Sequence, residues 1–116
     1  MRRGWGGARF TARALVLVAL AVVAAGGCAD IEVRMLGPQL PARPAGCALE
    51  VFPGGKPPFV TTDVASAGVS CSARDKCVDA LRKHACAVGA DTIYGFAESL
   101  ESGFTHINAM FAIRVR

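Results

Sequence analysis

The feature that most constrains this chain is a hydrophobic leader that ends at Cys28. Residues 1–13 carry four arginines and no acidic residue, residues 14–25 are apolar throughout, and two glycines precede Cys28. A basic start, a short apolar core and a small-residue exit are typical of a secretory signal peptide. The apolar run is shorter than the roughly 20 residues that a membrane-spanning helix needs. The sequence therefore predicts that residues 1–27 are removed, which leaves 89 residues to fold.

The end of the leader also predicts a lipid anchor. Residues 25–28, Ala-Gly-Gly-Cys, resemble the lipobox of bacterial lipoproteins, in which the cysteine is acylated and becomes the new N-terminus. Ala25 stands where that motif usually has leucine, and cleavage near Ala29 is the alternative that would discard Cys28. Acylation of Cys28 would also account for the odd member of five cysteines. We expect a lipid-anchored envelope protein on the outer membrane, facing the periplasm, because the residue after Cys28 is not aspartate.

The charge of the remaining chain argues against nucleic acid as a partner. Four of the 13 basic residues lie in the leader, whereas all nine acidic residues follow it, so residues 28–116 are formally neutral. Nucleic-acid-binding domains carry a basic patch with interleaved aromatic residues, and this sequence has none.

The four other cysteines predict two disulfides. An exported domain of this size buries a small core and often needs covalent cross-links. Cys77 and Cys86 are nine residues apart on one predicted helix and point to nearly opposite sides, so they should not pair. Two pairings stay open: Cys71–Cys77 with Cys47–Cys86, or Cys47–Cys77 with Cys71–Cys86. The first is favoured, because in the second a bond would have to span a helix about 20 Å long.

The order of residue types predicts a tether followed by one α+β domain. Residues 28–46 carry Pro38, Pro41 and Pro44 and are expected to form an extended spacer. Within residues 47–116, strands are predicted at 47–52, at 59–66 with a continuation to Cys71, at 92–97 and at 105–116. Between them lies a helix that Ser72 should cap and Gly89 should end. The order β-β-α-β-β predicts a small antiparallel or mixed sheet with the helix packed on one face.

The last strand separates two faces by strict alternation. Ile107, Ala109, Phe111, Ile113 and Val115 take the apolar face, which the helix needs. The other face is then the one available to a partner, and its candidate binding residues are His106, Asn108, Met110 and Arg114.

Two stretches resemble known envelope proteins. Residues 55–59, Gly-Lys-Pro-Pro-Phe, and residues 63–71, which end in Ser-Cys, resemble the outer-membrane lipoprotein that senses envelope stress for the Rcs phosphorelay. Residues 85–95, Ala-Cys-Ala-Val-Gly-Ala-Asp-Thr-Ile-Tyr-Gly, resemble the YbjQ-like domains, which are described as heavy-metal-binding and share that fold. The resemblance implies a sensor or adaptor of envelope state that binds a protein partner. The Rcs sensor places disulfide cysteines after the helix, where this chain has none, and only Cys71 has a counterpart.

No catalytic or metal-binding constellation is predicted. The sequence holds no nucleophile elbow, zinc-protease or phosphate-loop motif. His84 and Cys86 are two residues apart on a helix and point in different directions, whereas Cys77 and His84 lie about 10 Å apart along its axis. Cysteines in disulfides are not thiolate ligands. We expect no enzyme activity, cofactor or metal, and the alternative function is a structural or metal- or small-ligand-binding envelope lipoprotein.

Overall fold

A five-stranded mixed sheet with one helix on one face forms the protein in a computed structural model that describes residues 28–116. The elements are β1 (Cys28–Met35), β2 (Glu50–Phe52), β3 (Thr61–Cys71), α1 (Arg74–Ala87), β4 (Thr92–Glu101) and β5 (Phe104–Arg114). The strand order is β1-β3-β5-β4-β2. Only β2 and β4 pair in parallel, and this arrangement confirms the predicted α+β class. The signal peptide predicted at residues 1–27 lies outside the described residues.

The core lies between α1 and the apolar face of the three inner strands, β3, β5 and β4. Ile107, Ala109 and Phe111 of β5 are buried, as the alternation predicts. Every second residue of β3 from Ala65 to Cys71 is buried on the same face, and α1 contributes Leu81. The packing of a helix stripe on alternate strand residues is what holds so small a domain together.

The helix ends where glycine allows it to end. Gly89 has φ +83°, a left-handed conformation that favours glycine, and Val88 before it donates a backbone hydrogen bond to His84. The helix begins one residue later than predicted, because Ala73, not Ser72, is the extended N-cap residue, and no side-chain capping bond forms.

The predicted tether is wrong for its first half. Residues 28–35 form β1, an edge strand that pairs antiparallel with β3 from Cys28↔Cys71 to Met35↔Ala65. Ile31, Val33 and Met35 alternate there with Glu32 and Arg34, so one side of the strand is apolar and the other charged. Residues 28–35 therefore belong to the folded domain, which was expected to begin at residue 47.

The proline-rich segment is docked on the domain and does not extend from it. Residues 36–49, here called the strap, start with Leu36 and Gly37, whose N–H groups both donate to Val64 O, at 2.9 and 3.2 Å. Farther on, the Arg43 N–H donates to Cys86 O (2.8 Å) and Arg43 Nη1 donates to Ala90 O (2.7 Å). The first of these bonds satisfies a carbonyl in the last turn of α1 and the second one in the turn that follows it, so the strap fixes that end of the helix.

The structure corrects one of the two favoured disulfides. Cys47 is bonded to Cys86, as favoured, but Cys71 is bonded to Cys28 and not to Cys77. The reason is the unpredicted β1, which places Cys28 directly opposite Cys71 in the sheet. Cys77 remains a buried thiol, whose Sγ donates to Thr105 O at 3.2 Å. The odd cysteine of the described chain is therefore Cys77 and not Cys28.

Candidate functional site

The open face, which is the side of the sheet opposite α1, is half covered by a loop. Residues 53–60, here called the cover loop, place Phe59 edge-to-face against Phe52 with 5.5 Å between ring centroids. The Arg114 guanidinium lies 4.2 Å from the centroid of the Phe59 ring. Thr92 and Ala112, on the same side of the sheet, are fully buried. The cover loop therefore closes the end of the open face near β2.

The uncovered half of the open face forms a groove of about 450 Å³ over β1, β3, β5 and the start of β4. Small residues of β3 leave this space, since Gly68 has no side chain and Ser66 has a short one. The groove is lined by Glu32, Arg34, Ser66, Ala67, Gly68, Tyr94, Gly95, Asn108, Ala109 and Met110.

A chain of hydrogen bonds orders the polar side chains at one end of the groove. His106 Nδ1 lies 2.8 Å from Ser70 Oγ, and its Nε2 lies 3.3 Å from Asn108 Nδ2. When the Asn108 amide donates to Nε2, the ring proton is on Nδ1 and is donated to Ser70. A Cβ on residue 68 would lie only 2.6 Å from Asn108 Oδ1, which is too close for two nonbonded atoms. Glycine at position 68 is therefore required for Asn108 to hold this orientation.

Tyr94 and Asp63 join two irregular points of the sheet beside the groove. The Tyr94 hydroxyl donates to Asp63 Oδ1 at 2.6 Å. Asp63 lies at a register shift of β3, and Tyr94 lies at a register shift of β4 that Gly95 permits with φ +69°. Burial, and then the hydrogen bond and negative charge of Asp63, raise the pKa of Tyr94 to about 12. Tyr94 is therefore a fixed hydrogen-bond donor at neutral pH.

The structure brings three of the four predicted binding residues together and separates the fourth. Asn108 and Met110 line the groove, and His106 is bonded to Asn108. Arg114 lies instead at the far end of β5, in a second cleft of about 550 Å³. There the backbone N–H of Arg114 donates to Asp91 Oδ1 (3.0 Å), and its guanidinium Nη1 is 3.8 Å from Glu50 Oε1. Arg114 lies apart from the others because it is four residues beyond Met110 along β5, and there Phe59 of the cover loop packs against its guanidinium.

Sequence reasoning missed the residues that other strands contribute to the groove. These are Ser66, Gly68 and Ser70 of β3, Tyr94 of β4, and Glu32 and Arg34 of β1. For β3 the sequence did contain a signal. Once Ala65, Ala67 and Val69 are assigned to the core, the residues between them must lie on the open face. Nothing in the sequence indicated that β3 and β5 are direct neighbours.

The cysteines and histidines are not arranged as a reactive centre. Burial raises the pKa of the Cys77 thiol, which disfavours the thiolate form. Partial burial, and the nearby Lys83 charge, lower the pKa of His84. Within residues 28–116, no three His, Cys, Asp or Glu side chains are grouped as metal ligands. The same part of the chain has no helix long and apolar enough to cross a membrane.

Comparison with known proteins supports the fold. No family model matches the chain, and no curated protein matches it. Among solved structures, the chain is similar to the Francisella virulence factor FvfA, with 15% sequence identity and a TM-score of 0.56. The match covers 74% of this chain and 98% of that one. At this identity the likeness concerns the fold alone.

Proposed function

We propose that this chain is an exported protein of the bacterial cell envelope that acts by binding a protein partner in the groove of its open face. The single observation that carries the proposal is the groove itself. It is left open by both the helix and the cover loop, and it contains an ordered polar set beside the half-buried Met110. Grooves that combine apolar surface with a few fixed polar groups are typical binding sites.

The chemistry of the groove supports binding rather than turnover. Both ring nitrogens of His106 are used by Ser70 and Asn108, so the ring is held in place by its neighbours. The raised pKa of Tyr94 keeps its hydroxyl protonated at neutral pH. A polar network whose members already bond one another forms a rigid surface, which suits recognition of a ligand.

The kind of partner follows from the shape and composition of the groove. Met110 offers a flexible apolar surface that adapts to a partner side chain, while Glu32 and Arg34 offer both charges at the β1 side. An extended segment of another envelope protein, with an apolar side chain flanked by polar groups, suits such a surface. The resemblance to the Rcs stress sensor supports a sensor or adaptor role for this binding.

We propose also that the protein reaches the outer membrane through a lipid on Cys28. The basic and apolar leader and the Ala-Gly-Gly-Cys sequence support this anchor. The thioether to the lipid and the Cys28–Cys71 disulfide need the same Sγ atom. The acylated protein would therefore keep β1 in place by its hydrogen bonds to β3 and by the packing of Val33 against the core, with Cys71 as a thiol.

Site-specific photocrosslinking in cells tests the binding proposal. A photoreactive phenylalanine analogue at position 110 lies in the groove, whereas the same analogue at the exposed position 82 of α1 lies on the opposite side of the sheet. We expect one discrete crosslinked envelope protein from position 110 and none from position 82. Replacing Asn108 by arginine in the position-110 protein should suppress that product, because its larger charged side chain would fill the groove.

Thermal unfolding of each variant serves as the fold control. Identical crosslinked products from positions 110 and 82, or a product that Asn108→Arg leaves unchanged in a folded protein, would show that the groove is not the interface. A groove that crosslinks no protein but protects Met110 from oxidation when a small molecule is added would assign it to a small ligand instead.

A further inference from the structure

Within residues 28–116, no strand pairs with the outer edge of β1. β1 is the terminal strand of the sheet beside β3, and its eight residues contain no proline and no lysine. Sheet proteins commonly block such an edge with proline and with charged residues, lysine above all; the charged residues of β1 are Asp30, Glu32 and Arg34, of both signs. Ile31 and Met35, on the apolar side of β1, are exposed to 41% and 42%. This edge therefore offers backbone hydrogen-bonding groups together with accessible apolar side chains.

The side chains of β1 are complementary to their own sequence when the strand is read in the opposite direction. In an antiparallel pair of two β1 strands centred on Val33, residue 32 lies opposite residue 34 of the other copy, and residue 31 lies opposite residue 35. Glu32 then faces Arg34 of the second copy, twice, on the open face. Ile31 faces Met35 of the second copy, twice, on the helix side. Opposite charges and apolar residues in directly opposed positions stabilise antiparallel strand pairs.

The neighbouring symmetric registers lack this match. Centring the pair on Glu32 would place the two Glu32 carboxylates directly opposite each other, and centring it on Arg34 would do the same with two guanidinium groups. Like charges in directly opposed positions destabilise a strand pair. The sequence of β1 thus selects one register among the symmetric ones that keep both helices on the same face.

We propose that two copies of this chain associate through β1, centred on Val33, to form a continuous ten-stranded sheet with Glu32–Arg34 pairs across a two-fold axis. Both helices then lie on one side of the sheet, and both open faces lie on the other. Glu32 and Arg34 also line the groove, so the two grooves of the dimer adjoin at the axis. The association is a property of this chain alone and does not depend on the partner or on the lipid proposed above.

Charge reversal on the two opposed residues tests the dimer. The full chain is expressed with its leader, purified from the envelope in detergent, and examined by sedimentation velocity over a range of concentrations. We expect the wild type to dimerise and the single variants Glu32→Arg and Arg34→Glu to be monomeric, with an association constant lowered by roughly tenfold or more. A mixture of the two single variants should form heterodimers, and the double variant Glu32→Arg/Arg34→Glu should dimerise again.

The heterodimer of the two single variants and the dimer of the double variant are the decisive results. A single variant that failed to dimerise only because it misfolds would not regain association in either experiment. Lys56→Glu, in the exposed cover loop, changes the net charge as Arg34→Glu does and should leave the dimer intact. A wild type that stays monomeric at every concentration overturns the proposal. Single reversals that dimerise as the wild type does, or that fail to associate when mixed, overturn it as well.

Discussion

At the scale of single residues, the bond between Tyr94 and Asp63 holds the groove in shape. It joins the two register shifts on either side of β5, at a distance of 2.6 Å between the hydroxyl and the carboxylate oxygen. Because Tyr94 is 9% exposed, loss of its proton would place a second negative charge beside Asp63 in a poorly solvated position. The bond is therefore a stabilising contact only while Tyr94 is protonated.

Tyr94 is the only tyrosine of the chain, so its ionisation can be followed directly by the ultraviolet absorption of tyrosinate. We expect a midpoint near pH 12 in the folded protein and near the ordinary value of 10.0 in the unfolded one. The raised pKa stabilises the folded protein. This stabilisation is fully present below the pKa of Tyr94 in the unfolded chain and is lost as the pH rises through its pKa in the folded protein. Asp63→Asn should lower the folded midpoint, because it removes the neighbouring negative charge. Equal midpoints in the wild type and in Asp63→Asn would contradict this account.

At the scale of elements, the sequence predicts α1 and β5 well because each has a long, regular apolar period. The alternation of β5 correctly predicts the burial of Ile107, Ala109 and Phe111, although Val115 is exposed and Ala112, on the other face, is buried as well. Gly89 ends the helix as expected. The pattern of β1 is just as regular, with Ile31, Val33 and Met35 separated by Glu32 and Arg34. The three prolines that follow it led to its interpretation as part of a spacer, although a proline-rich segment can equally run along a folded surface.

The candidate site was harder to predict because it depends on which strands are neighbours. His106, Asn108 and Met110 share a face in any β-strand, so the period of β5 was enough to group them. Arg114 belongs to the same face by its period, yet it packs against Phe59 of the cover loop and lines a different cleft. Such contacts between distant segments have no local signal in the sequence. The same limit explains the wrong disulfide, since the pairing of Cys71 depends on the position of β1.

The contact between the strap and the end of α1 can be measured with two glycines that share a conformation. Gly89 and Gly46 have φ values of +83° and +81°, so an alanine at either position carries the same backbone cost of roughly 1–2 kcal/mol. A Cβ on Gly89 would lie 2.6 Å from Pro41 O, whereas one on Gly46 would meet nothing within 4 Å. We expect Gly89→Ala to lower the free energy of unfolding by about 1–3 kcal/mol more than Gly46→Ala does, from overpacking. If denaturant titrations show the same decrease in the free energy of unfolding for both variants, the strap can move away from residue 89 without destabilising the fold.

At the scale of the whole molecule, the two disulfides enclose overlapping lengths of chain. Cys28–Cys71 spans 43 positions and Cys47–Cys86 spans 39, so the segment from 47 to 71 lies inside both loops. Each cross-link of this length stabilises a domain by about 2–4 kcal/mol, chiefly by restricting the unfolded chain. For a domain of this size that is a large part of the net stability.

The lipid proposal and the disulfides can be tested by one intact-mass measurement without reductant. A chain acylated on Cys28 should carry one disulfide and two thiols, Cys71 and Cys77, whereas an unacylated chain that retains Cys28 should carry two disulfides and one thiol. We expect the membrane fraction to contain the acylated form.

Cys28→Ala should remove labelling by a fatty-acid probe and release the protein from membranes. Membrane association that survives Cys28→Ala would contradict the anchor.

The position of Cys28 also decides how the domain carries mechanical load. In the disulfide-bonded form, tension applied ahead of residue 28 passes through a covalent bond into the end of β3, a strand with hydrogen-bonded neighbours on both sides. β1 then cannot be peeled from the sheet at that end. In a chain tethered through a lipid on Cys28, the same pull would fall on the backbone bonds between β1 and β3, which can open one after another from the Cys28↔Cys71 pair onward. A tethered domain would thus release β1 under stretch before its core yields.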